Sequence, residues 1–390
     1  MNKAYSRKPV FWSACLGMML FGIDLITLGA ILPDLKIKHA LDAVAAGTLF
    51  SILPLGVIGG SLLFGPVCDR YGYKPLLTVS SLLLFAGFEG LAFTGTTGLL
   101  IFSVLLIGLG GGAINGATNA VVADISVTGK GADLSLLGVF FGVGALGMPL
   151  ILSLLEKSVD FEIIIAATGF LALAAALIFL AVTFPPAKQS GGISFKLIGG
   201  LIRDSALLLI AFFLFFQSAF EGLINNWTAT YLIDRLSVPQ GSALIGLSSY
   251  VAGMTIMRLL IGSLFRKVSE RNLLFSSFAV ILVALVIIRL SSTLAPAAAG
   301  LALLGSGLAA GFPTMLGLVG NRYPHLSGTA FSFVLVIALL GNMLVNYSMG
   351  LIAESYGIKY LSNLTFAELF MIVIIAIFIF RKLRHNQQTP

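Results

Sequence analysis

The sequence predicts an all-α membrane protein, with twelve transmembrane helices in two pseudo-symmetric six-helix bundles. Three observations carry that reading. The 390 residues are 58% hydrophobic and only 10% charged, where a soluble domain carries about 25% charged residues, and the mean hydropathy is +1.04. Apolar runs of bilayer-crossing length, about 20 residues each, follow one another with short breaks and leave no room for a soluble domain. One constant offset, 197 residues, carries Gly56 to Gly253, Gly65 to Gly262, Gly108 to Gly305, Gly110 to Gly307, Gly131 to Gly328 and Gly144 to Gly341. The second half of the chain therefore repeats the first.

In the N-terminal bundle, 1–186, the apolar runs fall at 10–33, 44–67, 74–94, 98–124, 132–155 and 162–184, numbered here as spans 1 to 6. The stretch Pro185-Pro186-Ala187-Lys188-Gln189-Ser190-Gly191-Gly192 breaks the pattern and opens a linker over 187–204. In the C-terminal bundle, 205–390, spans 7 to 12 fall at 205–232, 241–265, 271–291, 295–320, 327–353 and 359–380. Span 1 is too long for a signal-peptide core and has no small-residue cleavage site after it, so it is expected to be retained. Cys15 and Cys68 lie in or beside apolar segments, and a disulfide framework is not indicated.

Charge placement orients the chain. Of the 23 Lys and Arg, two lie inside spans (Arg258 and Arg289) and five in one set of loops (Lys36, Lys38, Lys157, Arg235 and Lys359). The other sixteen lie at the termini, in the linker and in the alternate loops. By the positive-inside rule that side is cytoplasmic, and with an even number of spans both termini are expected there. The net charge of +7 thus reports membrane orientation and not a nucleic-acid partner. Six spans per half also give the two halves the same orientation, related by an axis along the membrane normal, with a site expected at their interface near the midplane.

Candidate functional residues follow from the cost of polar groups in lipid. Asp24 is the lone acid of span 1, and the offset carries it to Glu221, the lone acid at the centre of span 7. An ionisable residue at that depth costs several kcal/mol by most estimates and marks a functional site by default. Other polar residues line up along single helix faces: Asp24 with Thr27, Asn115 with Asn119, Gln217 with Glu221 and Asn225, and Asn342 with Asn346. Asn226 flanks the third stripe, and Trp227 and Tyr347 could stack on an apolar sugar face. Amides both donate and accept hydrogen bonds, which suits a neutral polyol, and no cation near mid-depth is evident to neutralise a carboxylate. In the alternative reading each asparagine simply joins neighbouring helices. Glu89 and Arg289 sit near span ends and are expected to reach water. The glycines from Gly108 to Gly112 lie inside a span, where they permit close packing and make no phosphate loop. His39, His325 and His385 fall in loops or the tail, so no metal cluster and no cofactor is expected.

Between spans 2 and 3 stands Gly65-Pro66-Val67-Cys68-Asp69-Arg70-Tyr71-Gly72-Tyr73-Lys74. It resembles the major facilitator superfamily signature Gly-x-Leu-x-Asp-Arg-x-Gly-x-Lys/Arg in its expected loop, with Val67 in place of Leu. In physical terms Gly65 permits close helix approach, Asp69 meets the positive end of a helix, and Gly72 allows the turn. The resemblance covers the whole chain and implies a cytoplasmic latch made by Gly65, Asp69, Arg70, Gly72 and Lys74. Asp124 either joins that latch or is a plain boundary charge, and Arg258 either closes a gate or snorkels. The second-half copy, Gly262-Ser263-Leu264-Phe265-Arg266-Lys267, lacks the acid, so the latch is expected to be asymmetric. Val104 stands where antiporters of this superfamily carry arginine, and Gly144-Ala145-Leu146-Gly147-Met148-Pro149 lacks their Gly-Pro pattern.

The runs Gly108 to Asn119, Leu134 to Ala145 and Glu221 to Trp227, with Tyr231-Leu232, resemble the fucose/glucose–galactose branch of proton-coupled sugar symporters. Asp24 matches the span 1 acid of that branch. Asn115 stands where relatives carry a polar or acidic residue, and Gly138 where many carry histidine.

The resemblance implies a transporter, not an enzyme, working by alternating access. Its expected cargo is a small neutral polar solute, a monosaccharide or related polyol, moved by proton symport through Asp24 and Glu221, with Na+ the alternative coupling ion. The expected substrate contacts are Asp24, Thr27, Asn115, Asn119, Gln217, Glu221, Asn225, Asn226, Trp227, Asn342, Asn346 and Tyr347. The expected setting is a monomer in the lipid bilayer of a bacterial inner membrane. Export of a drug or metabolite, or solute sensing without transport, are the alternative functions.

Overall fold

The structure, a computed structural model, describes residues 5–126, 130–186, 204–263, 268–323 and 327–386. Linker positions 187–203 and the basic pair Arg266-Lys267 lie outside the described residues, as does the side chain of Asp69. Among the described residues, twelve helices are long and apolar enough to cross a membrane. The protein is an integral multi-pass membrane protein. Two compact units divide the chain, Met1–Gly192 and Ile193–Pro390.

In the first unit spans 1 to 6 are Arg7–Ala30, Ala43–Tyr71, Tyr73–Phe93, Thr97–Ile125, Lys130–Leu155 and Phe161–Ala181. Span 2 packs on span 4, span 1 on span 5, and span 3 on spans 4 and 6. In the second unit spans 7 to 9 are Ser205–Leu236, Gln240–Ser263 and Glu270–Leu290. Span 10 is the pair Leu294–Leu308 and Gly311–Arg322, span 11 is Ser327–Tyr356, and span 12 is Leu361–Asn386. The packing repeats: span 8 lies on span 10, span 7 on span 11, and span 9 on spans 10 and 12.

The glycine repeat seen in the sequence is a packing repeat. A Cβ on Gly56 would stand 2.9 Å from the Cα of Gly108, and one on Gly108 would run into the Leu53 carbonyl. In the second unit Gly253 meets the carbonyl of Ala302 and Gly305 that of Tyr250, the repeat mates of Leu105 and Leu53. Backbones approach this closely only where Cβ is missing, the usual device for packing helices in lipid. Between spans 1 and 5 the register slips: Gly144 abuts the Met19 carbonyl, but Gly341 abuts that of Phe215, not of its repeat mate Phe216.

Two elements depart from expectation. Span 1 ends at Ala30, and the segment expected as a loop forms a short helix, Leu32–His39, with Pro33 in its first turn. Proline is tolerated there because that N–H has no intrahelical partner in any case. Span 10, expected to run unbroken over 295–320, is interrupted at Ala309-Ala310. Pro313 supplies the cause, since it lacks an N–H and its ring collides with the carbonyl four residues back.

Candidate functional site

In the first unit the site centres on Asp24. Its side chain is 1% exposed, and both carboxylate oxygens are buried without a hydrogen-bond partner. The carboxylate lies directly on the backbone of Gly111 in span 4: a Cβ at Gly111 would come within 2.9 Å of the Asp24 Cγ and overlap Oδ2. Gly111 belongs to the glycine run read as packing residues, and the structure gives it this more specific task. Thr27, one turn on, donates its hydroxyl to the Ile23 carbonyl at 2.7 Å and so does not reach the acid. One turn beyond Gly111, Asn119 donates to the Asn115 side-chain oxygen at 3.0 Å, which joins the two amides into one half-buried patch. Among the described residues a charge at Asp24 has no hydrogen-bond donor to replace lost water, and burying such a charge is costly.

In the second unit the expected residues separate into two clusters. The first holds Glu221, whose Oε1 accepts from Gln217 Nε2 at 2.9 Å and whose Oε2 lies 3.7 Å from Arg258 Nη2 in span 8. Gln217 also donates to the Leu308 carbonyl at 3.0 Å, the carbonyl at the break in span 10. Gly311, just past the break, has no Cβ to displace the Gln217 amide. Asn225 is half-buried one turn further along span 7. Glu221, expected as a lone acid, is therefore paired, and Arg258 acts inside the cluster as its counter-ion. The slip between spans 5 and 11 helps explain why the repeat mates differ. One residue of register is about 100° of helix rotation, enough to send equivalent side chains toward different neighbours.

The second cluster ties span 7 to span 11. Asn346, fully buried, accepts from Asn226 Nδ2 at 3.0 Å and from Trp227 Nε1 at 3.1 Å through one oxygen. Its own amide donates to Asn342 Oδ1 at 3.0 Å, and Asn342 donates to the Ser218 carbonyl at 3.1 Å. Trp227 is 0% exposed, so its indole is part of this packing and not a free stacking face. Tyr347, next to the fully buried Asn346, is 40% exposed.

The motif expected as a loop between spans 2 and 3 is helical but for one residue: positions 65–71 end span 2, Gly72 makes the turn, and Tyr73 begins span 3. Gly72 takes φ of +85°, a region that residues with a Cβ rarely enter. Arg70 lies over the Tyr71 ring, 5.2 Å from its centroid. Asp124 accepts a hydrogen bond from the Tyr73 hydroxyl at 2.6 Å, which joins the start of span 3 to the end of span 4. Lys74 is half-buried beside them. The close approach expected at Gly65 is not found: among the described residues nothing lies within 4 Å of where its Cβ would stand.

Ion pairs fasten the helix ends of each unit. Asp133 accepts from Ser126 and pairs with Arg7. Burial works against ionisation of Asp204, but Arg322, Tyr323 and the Ala206 N–H together outweigh it and bring its pKa to about 2.

Two buried groups escaped the sequence reading. Glu368 in span 12 is 3% exposed with Oε2 unpartnered. It was legible by the same signal as Asp24, a lone acid within an apolar run. Tyr250 in span 8 is 1% exposed with an unpartnered hydroxyl; a tyrosine in a span carries no such signal by itself.

Comparison with known proteins follows from this geometry. The family model described as Major Facilitator Superfamily matches residues 14–345. The chain is 23% identical over 343 residues to the "Uncharacterized transporter y4wD" of Sinorhizobium fredii (strain NBRC 101917 / NGR234), covering 87% of this chain and 90% of the relative. It is 23% identical over 350 residues to the "Glucose/mannose transporter GlcP" of Bacillus subtilis (strain 168), covering 84% of each. The crystal structure of a D-xylose-proton symporter superposes with a TM-score of 0.79 at 16% identity, over 95% of this chain and 97% of the other.

Proposed function

The chain belongs to the Major Facilitator Superfamily, and from that premise we propose that it is a secondary active transporter of a small sugar-like solute, driven by proton symport across the bacterial inner membrane. One observation carries the coupling: the Asp24 carboxylate is buried within a span, with both oxygens unpartnered. Taking up a proton removes a charge for which no described residue supplies a hydrogen-bond donor. That lowers the cost of closing the loaded carrier and reopening it on the other side. A lone carboxylate suits a proton better than a hard metal cation, which collects several oxygen ligands. The amides Asn115 and Asn119, with Gln217 and Asn225, supply donors and acceptors of the kind a polyol needs. The sugar names of relatives such as the glucose/mannose transporter support the same class.

Uptake of a labelled sugar panel into proteoliposomes, with and without an inward proton gradient, tests the proposal. One sugar should accumulate only with the gradient, and Asp24→Asn should abolish that accumulation while exchange persists. Undiminished accumulation by the mutant would refute Asp24 as the proton carrier.

A further inference from the structure

The expectation of a neutral solute rested on the amides and on finding no cation near mid-depth, and the pairing of Arg258 with Glu221 removes the second ground. The pairing is incomplete. At 3.7 Å the guanidinium and carboxylate are within ion-pair range but too far apart for a hydrogen bond. The Arg258 Nε is buried with no partner at all, although a guanidinium in a fork geometry is built to give two parallel hydrogen bonds to one carboxylate. A second unused donor lies about two turns along the same span. Tyr250, on the same span and 99% buried, keeps its hydroxyl unpartnered within electrostatic reach of both Glu221 and Arg258. Glu221, by contrast, has its other oxygen engaged by Gln217. The cluster thus has donors to spare and one acid that occupies the cation loosely. Its members are not sealed, since the Arg258 side chain is 34% exposed and that of Glu221 15%.

We propose that Arg258 and Tyr250 form a carboxylate-binding subsite, and that the transported solute is an acidic polyol, of the class of the uronic and sugar acids. The solute carboxylate takes the Arg258 fork and the Tyr250 hydroxyl and replaces Glu221 as counter-ion. The half-buried Asn225 amide, one turn along span 7 from Glu221, is there for its hydroxyl groups. This rests on the transport reading above and sharpens its substrate class.

Matched ligands test it. D-Glucuronate differs from D-glucose in carrying a carboxylate in place of a hydroxymethyl group, and D-galacturonate differs from D-galactose in the same way. Binding of all four to the purified full chain is measured by the shift in its thermal unfolding midpoint and by competition for labelled uronate. At least one uronate should bind about tenfold or more tightly than its hexose. Glu221→Gln removes the competing internal carboxylate and should widen the preference for uronate over hexose further. Arg258→Gln in the Glu221→Gln background, where no buried charge is left behind, should abolish the preference. A hexose that binds as well as its uronate, no uronate binding at all, or a Glu221→Gln variant that binds uronate more weakly each overturns the subsite. Hexose binding without uronate binding would leave the sugar-transport reading standing, so the two failures are distinct. Should Glu221→Gln not fold, Arg258→Lys replaces it: a smaller preference for uronate over hexose is expected, and an unchanged preference refutes the fork.

Discussion

Replacing Gly111 with alanine should disable the Asp24 seat without touching the acid itself. The added Cβ would stand within 2.9 Å of the Asp24 Cγ, overlap Oδ2, and lie 3.3 Å from the Phe21 ring. The ring contact can relax by a few tenths of an ångström, but the carboxylate must move by more than an ångström. It is 1% exposed, and moving it disturbs a packed interior. Overpacking of that size costs about 1–3 kcal/mol. The assay is a double-mutant cycle on unfolding in detergent. Gly111→Ala should destabilise the wild-type chain by that amount and cost about 0.5 kcal/mol or less in an Asp24→Ala background, where the colliding atoms are gone. The coupling between the two positions is then about 1–2 kcal/mol. Equal destabilisation in both backgrounds would refute the contact. On the proposed function, proteoliposomes carrying Gly111→Ala should also lose gradient-driven accumulation, as is expected of Asp24→Asn, because both disturb the proposed proton carrier.

Two further predictions concern the second unit. Asn346→Ala removes the single oxygen that accepts from both Asn226 and Trp227, so it should cost about 1–3 kcal/mol, more than the roughly 0.6 kcal/mol of an average interhelical hydrogen bond in a membrane; an unfolding loss below that average would show the indole N–H to be satisfied otherwise. Asp204 has its folded pKa depressed to about 2, so its ion pair stabilises the chain above the ordinary carboxylate range and loses that contribution as pH falls from about 4 toward 2. Stability measured over that window should therefore fall less steeply in Asp204→Asn than in the wild type, and parallel curves would exclude the linkage.

What the sequence determined by itself is the part of the structure that lipid determines. A span must be apolar for about 20 residues whatever it packs against, so hydropathy located all twelve. The glycines that let backbones touch recur at one offset because the second unit repeats the packing of the first: Gly56 and Gly108, then Gly253 and Gly305. The lone acids Asp24 and Glu221 could be found for a related reason, since charge in lipid is rare enough to stand out. Glu368 carried the same signal.

Only the tertiary structure decided which polar groups meet. A short polar stripe marks one face of a span but not the neighbour that each side chain on it meets, so nothing along the chain says that Arg258 turns toward Glu221, that Trp227 is spent on Asn346, or that the Asp24 carboxylate rests on Gly111. One residue of slip between Gly144 and Gly341 is invisible as a sequence offset, yet a shift of that size turns a helix by about 100°. Side-chain chemistry in lipid depends on contacts a few ångströms long, and these are set by helix rotation and register after the spans have been chosen.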